Sequence, residues 1–249
     1  MGFHEFSSPY DWSRIASFKR TAKAAFGGMV DLSVGSPVDP VPDSVRKALG
    51  AASNDPNAYG YPVTAGTADL RSAIAEWFAA ARNVDLTAID ADVVPTVGSK
   101  EGVALMASLL HLGAGDVVVQ PKVSYPTYEI GTQLAGAKVL KVDDVADVES
   151  WKDVPGVKAI WVNSPCNPTG AVLAAEQMAA IVAAARGIGA VVLSDECYAL
   201  MQWGNVDVEA DADTLASTPC ALRPDVCGGS AQGVLVLYSL SKQSNMAGY

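Results

Sequence analysis

The chain's length, composition and charge fit a globular protein and exclude several other classes. Its 249 residues, 50% hydrophobic and 18% charged, are enough to bury a large core and too apolar for a disordered chain. A net charge of -10 argues against nucleic-acid binding, because nucleic-acid phosphates require clustered Lys and Arg side chains. The 4 cysteines form neither a disulfide framework nor a zinc motif, so we expect no metal.

The sequence also gives no sign of a membrane or export signal. Residues 1–10 lack the apolar core of a signal peptide. No apolar run approaches the ~18 residues that span a bilayer. We therefore expect a cytoplasmic protein that makes no membrane contact.

Helical patterns recur along the chain. The N-terminal part predicts a helix over residues 13–26 and a second one that begins near Pro42. Apolar residues at helical spacing predict three further helices, around residues 70–81, 103–110 and 178–185. Short, continuously apolar segments lie between the later helices, so helix and strand alternate from about residue 66 onward.

These apolar segments predict strands that are covered on both faces, as in a parallel sheet. They lie at residues 93–97, 117–119, 159–162, 190–193 and 234–238. Alternating helices and strands indicate an α/β fold with a mostly parallel, doubly wound sheet and helices on both faces. The irregular stretch 204–233 is interpreted as a surface excursion between two core strands.

Chemically useful side chains follow four of the predicted strands. Ligands of open α/β sheets bind beyond the carboxyl ends of the strands, so these residues share one edge. That edge combines an acid, an amide, a lysine and the start of a helix, in the segments that contain Asp195, Asn167, Ser239 with Lys242, and Gly98 with Ser99.

The residues at this edge suit pyridoxal 5'-phosphate. The helix that opens at Gly98, with free N–H groups at Ser99 and Lys100, would hold a phosphate dianion. A buried Asp195 would keep the pyridine nitrogen protonated, so that the ring acts as an electron sink.

Three more side chains complete the predicted site. The Tyr198 hydroxyl and the Asn167 amide would bond the phenolic oxygen of the ring. The Lys242 amine would form the Schiff base and then move the substrate α-proton. Taken singly, each residue has an ordinary structural interpretation, since an Asp after a strand is usually a cap and a lysine is usually solvated. It is improbable that the ordinary structural interpretation holds for every one of these residues, given their order and spacing.

From about residue 30 onward the chain resembles the class I/II (fold type I) pyridoxal phosphate aminotransferases. The resemblance rests on LSVGSP, YPVTAG, VGSKE, YPTY, NSPCNPTG and SDECY, which begin at residues 32, 61, 97, 125, 163 and 194, and on the segment from Ser239. Within the family, the chain is most similar to the actinobacterial N-succinyldiaminopimelate aminotransferases.

The resemblance implies a role for each matching position. It makes Lys242 the Schiff-base lysine and Asp195 the partner of the pyridinium. The remaining cofactor ligands it implies are Tyr198 and Asn167 at the ring oxygen, Gly98, Ser99, Lys100 and Ser239 at the phosphate, and Tyr125 stacked on the ring. Gly35 and Asn167 would bind the substrate. Tyr61 would reach the phosphate of a partner subunit, which implies a homodimer with shared active sites.

The resemblance also implies a domain organisation. Residues 1–36 would form an N-terminal arm and a segment of a small domain, and residues 37–249 the cofactor-binding large domain. The family has an arginine at the position after Tyr249 and then a C-terminal small domain, which carries an arginine for the substrate carboxylate. We expect both beyond the last residue of this chain.

The expected function is transamination between N-succinyl-LL-2,6-diaminopimelate and 2-oxoglutarate, in lysine biosynthesis. Other amino-acid and 2-oxo-acid substrates of aspartate, aromatic or alanine type remain open, as does a pyridoxal phosphate lyase. The non-enzyme alternatives are an inactive fragment and an aminotransferase-like regulatory domain. The sequence disfavours the regulator, because no basic helix-turn-helix precedes the domain.

Overall fold

A parallel sheet of 5 strands forms the centre of the molecule, in the spatial order β2-β1-β3-β4-β5. The computed structural model describes residues 11–201 and 218–248. The strands are β1 Val117–Pro121, β2 Lys138–Val142, β3 Val157–Asn163, β4 Val191–Asp195 and β5 Val234–Leu237. All four neighbouring pairs are parallel, as the apolar runs predict.

The chain winds outward from the middle of the sheet in both directions. From β1 it crosses to β2 at one edge, and it then returns to β3, β4 and β5 on the other side. This is the predicted doubly wound α/β topology, and it is confirmed. The edge strand β2 escaped the sequence reasoning because Lys138 and Lys141 interrupt its apolar pattern. Charged residues are common on edge strands, where they discourage pairing with another chain.

Eight α-helices lie in the described residues, and five of them correspond to helices predicted from the sequence. They are α1 Ala16–Ala24, α2 Asp43–Ala52, α3 Ala68–Arg82, α4 Ser99–Leu109, α5 Pro126–Leu134, α6 Ala175–Gly187, α7 Pro224–Cys227 and α8 Leu240–Gln243. Short 3-10 helices lie at Trp12–Ile15 and Val148–Ser150. Thr67 caps α3 by accepting from the Leu70 N–H, and Pro126 opens α5.

Helices cover both faces of the sheet and bury two separate cores. One core contains Val103 and Met106 of α4, Tyr128 of α5, and Trp161 and Leu193 from the strands. The larger core on the other side combines Phe78 of α3 with Met178, Ile181 and Val182 of α6 and with the segment around α7. Within residues 11–201 and 218–248, no helix has both the length and the apolar composition to cross a bilayer.

The predicted strand at residues 93–97 is wrong. These residues form no ladder with any described strand. Two of their backbone N–H groups instead donate to side chains, since Asp92 accepts from Val93 and Glu101 accepts from Val97. A strand requires a neighbouring backbone, which an apolar run by itself does not supply.

The predicted surface excursion at 204–233 is wrong for residues 218–227. Residues 202–217 lie outside the described residues, but the segment from Thr218 to Cys227 is part of the larger core. Cys220 and Ala221 are fully buried there. Leu222, Val226 and Cys227 are buried in the same core, and α7 packs against α6.

Helices α4 and α5 cross at a close contact that requires a glycine. A methyl group at Gly131 would lie 2.6 Å from the carbonyl oxygen of Ala104, which is backbone and cannot move aside cheaply. Both helices carry site residues at their N-termini, so this contact also sets the spacing of those residues.

We predict that Gly131→Ala lowers the free energy of unfolding by about 1–3 kcal/mol, because the helices must separate to admit the methyl group. Gly187→Ala is the matched control, since Gly187 is helical and its added Cβ meets no atom within 4 Å. The control is expected to stabilise the protein by up to about 1 kcal/mol. Urea unfolding of both variants measures the difference, and equal stabilities would contradict the close-contact interpretation.

Candidate active site

The carboxyl ends of β3, β4 and β5 lie side by side. In the register of the sheet Asn163 pairs with Asp195, and Asp195 pairs with Leu237. The chain leaves these three positions toward Asn167, Tyr198 and Lys242 respectively. Three of the four predicted strand ends therefore meet at one edge, and the fourth contribution comes from the loop before α4.

Asp195 is the last residue of β4 and its carboxylate is almost entirely buried, with a relative exposure of 7%. One oxygen, Oδ1, accepts a hydrogen bond from the Cys197 backbone N–H at 3.2 Å. The other, Oδ2, accepts from the Tyr128 hydroxyl at 2.7 Å. A buried carboxylate held in this way is suited to pair with a cationic group of a ligand.

Tyr128 is a residue of the candidate site for which no role was predicted from the sequence. Its ring is fully buried and stacks on Trp161, with centroids 4.4 Å apart and an interplanar angle of 14°. Burial raises the pKa of the Tyr128 phenol far above its usual value, and the charge of Asp195 adds to the effect. The phenol therefore keeps its proton and acts only as a donor toward Asp195. Its position three residues after Tyr125 on α5 was the only signal available.

Tyr198 and Asn167 meet as the sequence predicts. The Asn167 amide donates to the Tyr198 hydroxyl at 3.5 Å, a long hydrogen bond that leaves both groups able to bond a ligand. The Asn167 backbone N–H donates to Asn163 Oδ1 at 2.7 Å, and the Asn163 amide donates to the Asp195 carbonyl at 2.9 Å. Burial and the neighbouring Asp195 raise the pKa of the half-buried Tyr198 phenol, so it is protonated at neutral pH.

Lys242 lies in the short helix α8, directly beyond β5. Its Nζ is 5.7 Å from the centroid of the Tyr198 ring and donates to the Gly35 carbonyl at 2.9 Å. In the part of the chain that the structure describes, no carboxylate lies within salt-bridge distance of this amine. Ser239 caps α8, because its hydroxyl accepts from the Ser241 N–H at 3.1 Å. The Lys242 amine therefore lies close to both the Gly35 carbonyl and the Tyr198 ring.

The N-terminus of α4 also reaches the end of β4. Gly98 is its N-cap and no side chain caps it, so the first N–H groups of the helix remain available. Burial and the charge of Asp195 raise the pKa of the Cys197 thiol, although Ser99 at the start of α4 lies close enough to oppose the shift. Lys100, one residue further on, is exposed.

Tyr125 and Tyr61 differ in how the structure places them. Tyr125 precedes α5, with its ring edge-on to Tyr128 at 5.6 Å and close enough to Tyr198 to raise the pKa of that phenol. Tyr61 is fully exposed on a loop, and no described hydrogen bond links it to the other site residues. Its predicted role toward a partner subunit stays a prediction.

The residues present fit pyridoxal 5'-phosphate. A buried carboxylate, an amine without a carboxylate partner, a protonated phenol beside an amide, and an uncapped helix N-terminus surround one edge of the sheet. These are the groups that a pyridinium nitrogen, an aldehyde, a phenolic oxygen and a phosphate require. The described residues contain no cluster of His, Cys, Asp or Glu side chains that could hold a metal ion.

Comparison with known proteins agrees with this fold and site. Residues 27–249 match the family described as aminotransferase class I and II. The fold is that of the fold type I aminotransferases. The chain belongs to the class I and II aminotransferases, whose members use pyridoxal 5'-phosphate.

Two relatives align with nearly the whole chain. A probable aminotransferase, Rv1178 of Mycobacterium tuberculosis, is 42% identical over 241 residues, 96% of this chain and 53% of the relative. The 4-dedimethylamino-4-oxo-anhydrotetracycline transaminase OxyQ of Streptomyces rimosus is 40% identical over 240 residues, 96% of this chain and 61% of that enzyme. The chain thus spans between about half and three-fifths of the length of these relatives.

Among solved structures, the N-succinyldiaminopimelate aminotransferase from Mycobacterium tuberculosis superposes with a TM-score of 0.70 at 27% identity. The superposition covers 95% of this chain and 59% of that one. The similarity therefore extends over the whole sheet and its helices.

We predict that Tyr128→Phe lowers the free energy of unfolding by about 1.5–3 kcal/mol, because it removes a hydrogen bond to a buried charge. Tyr125→Phe is the matched control: the same hydroxyl is removed, and among the described residues that hydroxyl has no hydrogen-bond partner. The control is expected to stay within about 0.5 kcal/mol of the parent. Chemical unfolding measures both, and equal losses would show that the Asp195 bond contributes nothing specific.

Proposed function

We propose that the protein catalyses pyridoxal phosphate-dependent transamination between amino acids and 2-oxo acids. One observation supports this most strongly: the Lys242 amine lies over the Tyr198 ring, at the same sheet edge as the buried carboxylate of Asp195. Lyases that use the same cofactor need the same three groups, so the family membership of the chain favours transamination among these reactions.

Each residue of the site contributes a separate physical task. The bound cofactor supplies an electron sink that stabilises negative charge at the substrate α-carbon. Asp195 balances the positive charge on the ring nitrogen, and its own position is fixed by Tyr128 and the Cys197 N–H. Tyr198 and Asn167 orient the ring oxygen. The Lys242 amine would hold the cofactor as a Schiff base and would then accept and donate the substrate α-proton.

The phosphate end and the substrate end lie at different elements. The uncapped N-terminus of α4 offers N–H groups and a positive dipole to the phosphate, and the hydroxyls of Ser99 and Ser239 would add to this site. Gly35 offers backbone contacts on the other side of Lys242, where the substrate carboxylate would lie. Tyr61 would complete the phosphate site of a second subunit, in a homodimer with shared active sites. We place the enzyme in the cytoplasm.

For the substrate pair we propose N-succinyl-LL-2,6-diaminopimelate and 2-oxoglutarate, in lysine biosynthesis. The support is the similarity to the N-succinyldiaminopimelate aminotransferase structure. The OxyQ relative, whose name states a tetracycline substrate, is more similar in sequence and favours a bulky cyclic ketone as the second candidate. The residues described above face the cofactor more than the substrate side chain, so they do not distinguish the two.

We predict that Lys242→Ala abolishes the covalent link between protein and cofactor and lowers the transamination rate at least about 100-fold, because the proton carrier is lost. Borohydride reduction followed by peptide mass analysis of the full-length protein should find the cofactor on residue 242 in the parent and on no lysine in the variant. Lys138→Ala, an exposed lysine on the edge strand β2, is the control and should behave as the parent. Cofactor attached elsewhere would overturn the assignment of Lys242.

The substrate proposal predicts a distinct kinetic result. With 2-oxoglutarate as acceptor, kcat/KM for N-succinyl-LL-2,6-diaminopimelate should exceed that for aspartate, alanine, phenylalanine and unsuccinylated LL-diaminopimelate by at least about tenfold, because a site that bonds the succinyl group discriminates against donors without it. A panel of single-donor assays on the full-length protein measures this. A higher value for any other donor would reassign the substrate without affecting the proposed reaction class.

A further inference from the structure

The residue that follows Asp195 is a second buried acid. Glu196 is fully buried, on the opposite side of the backbone from Asp195. Its Oε1 accepts from the Ser194 hydroxyl at 3.0 Å and from the Ala221 N–H at 2.8 Å, and its Oε2 accepts from Arg82 at 2.9 Å. These contacts tie the end of β4 to the segment before α7 and to α3.

Arg82 is the last residue of α3, and its guanidinium is as deeply buried as Glu196. Besides the acid, its Nη2 donates to the Pro219 carbonyl at 3.2 Å. Neither Nε nor Nη1 has a hydrogen-bond partner among the described residues. Glu196 is therefore the group that balances this charge, and loss of either member would leave the other charged and unpaired in the core.

A buried ion pair is a poor way to stabilise a core. Desolvation of the two charges offsets most of their attraction, and apolar replacements of similar volume often preserve or raise stability. In this protein the pair attaches the end of β4 to α3. Glu196 lies directly between the two site residues Asp195 and Tyr198, and its backbone N–H donates to the Leu237 carbonyl of β5, two residues before Ser239.

Helix α3 also supports the lysine segment. Trp77, on the same helix as Arg82, packs on the ring of Tyr238 with centroids 4.3 Å apart. The Tyr238 hydroxyl donates to Gln243 Oε1 at 2.7 Å, which spans the short segment from Ser239 to Lys242. The two segments that carry the acid and the amine of the site thus rest on one helix.

We propose that Arg82 is a positioning residue for this active site: through Glu196 it fixes the turn from Asp195 to Tyr198 relative to the Lys242 segment. The inference rests on the proposed function for its meaning. The test of the inference is independent of the proposed function, because the position of the turn can be measured without cofactor.

The first measurement uses the apoprotein of the full-length enzyme. Cys197, in the turn, is partly buried, and its rate of alkylation reports how firmly the turn is held. We expect alkylation to become several-fold faster in Arg82→Met and in the double variant Arg82→Met/Glu196→Gln, and to return near the parent rate in Arg82→Lys, which keeps the charge. Cys227, fully buried in the core, is the internal control and should stay protected in all four proteins.

The double variant separates positioning from stability. Arg82→Met leaves Glu196 unpaired and should unfold at lower urea, whereas the double variant removes both charges, keeps a side-chain oxygen for Ala221 and Ser194, and should recover most of that loss. If Arg82 only stabilises the core, recovery of stability restores the Cys197 rate as well. That result, or a Cys197 rate equal to the parent in Arg82→Met, would overturn the proposal.

The second measurement uses the holoenzyme. We expect the Kd for pyridoxal phosphate to rise about tenfold in both Met-containing variants, because the turn that carries Asp195 and Tyr198 is then held less firmly, by analogy with the loss of groups that orient metal ligands. The pH midpoint of the visible absorption band should be displaced in the same two variants and restored in Arg82→Lys. A parent protein that binds no cofactor would refute the proposed function, while the alkylation rates would still decide whether Arg82 fixes the turn. If the parent binds the cofactor, an unchanged Kd and an unchanged pH midpoint in the variants would refute the positioning role.

Discussion

Two consecutive carboxylates are buried at the end of β4, and the rest of the site depends on how each of them is satisfied. A buried charge without partners costs several kcal/mol, so neither acid is tolerated alone. Side chains alternate along a strand, which sends Asp195 toward the core of α4 and α5 and Glu196 toward the core of α3 and α6. The turn that carries Asp195 and Tyr198 is consequently held from both faces of the sheet.

The contacts of Asp195 and those of Glu196 have different roles. On one face the Tyr128 hydroxyl and the Cys197 N–H each donate one hydrogen bond to Asp195, and a carboxylate bonded in this way can still accept from a ligand. On the other face Arg82 neutralises Glu196, which bonds only protein groups. Asp195 is therefore able to bind a ligand, whereas Glu196 serves to connect parts of the protein. Neighbours in sequence acquire different functions because the sheet separates their environments.

The parallel sheet makes such a site possible. Since the carboxyl ends of β3, β4 and β5 are aligned in the sheet, residues from three distant parts of the chain lie at one edge. The N-terminus of α4 adds the anion-binding element from the same core that holds Tyr128. The N-succinyldiaminopimelate aminotransferase structure shares the architecture over nearly all of this chain's length, although this chain spans only part of that one.

The sequence by itself determined the fold class and predicted the residues that we propose face the cofactor, because both depend on local signals. Apolar runs predict buried parallel strands, and the residue that follows each run is placed at the ligand edge by topology alone; Asp195, Asn167 and Lys242 were found in this way. Tyr128 and the Arg82–Glu196 pair were decided only by the tertiary structure. Their contacts join residues 67 and 114 positions apart, and nothing local distinguishes a buried tyrosine or arginine from an ordinary helical one. The same limit explains why 93–97 is not a strand and 218–227 is core: pairing and burial are properties of neighbours that lie elsewhere in the chain.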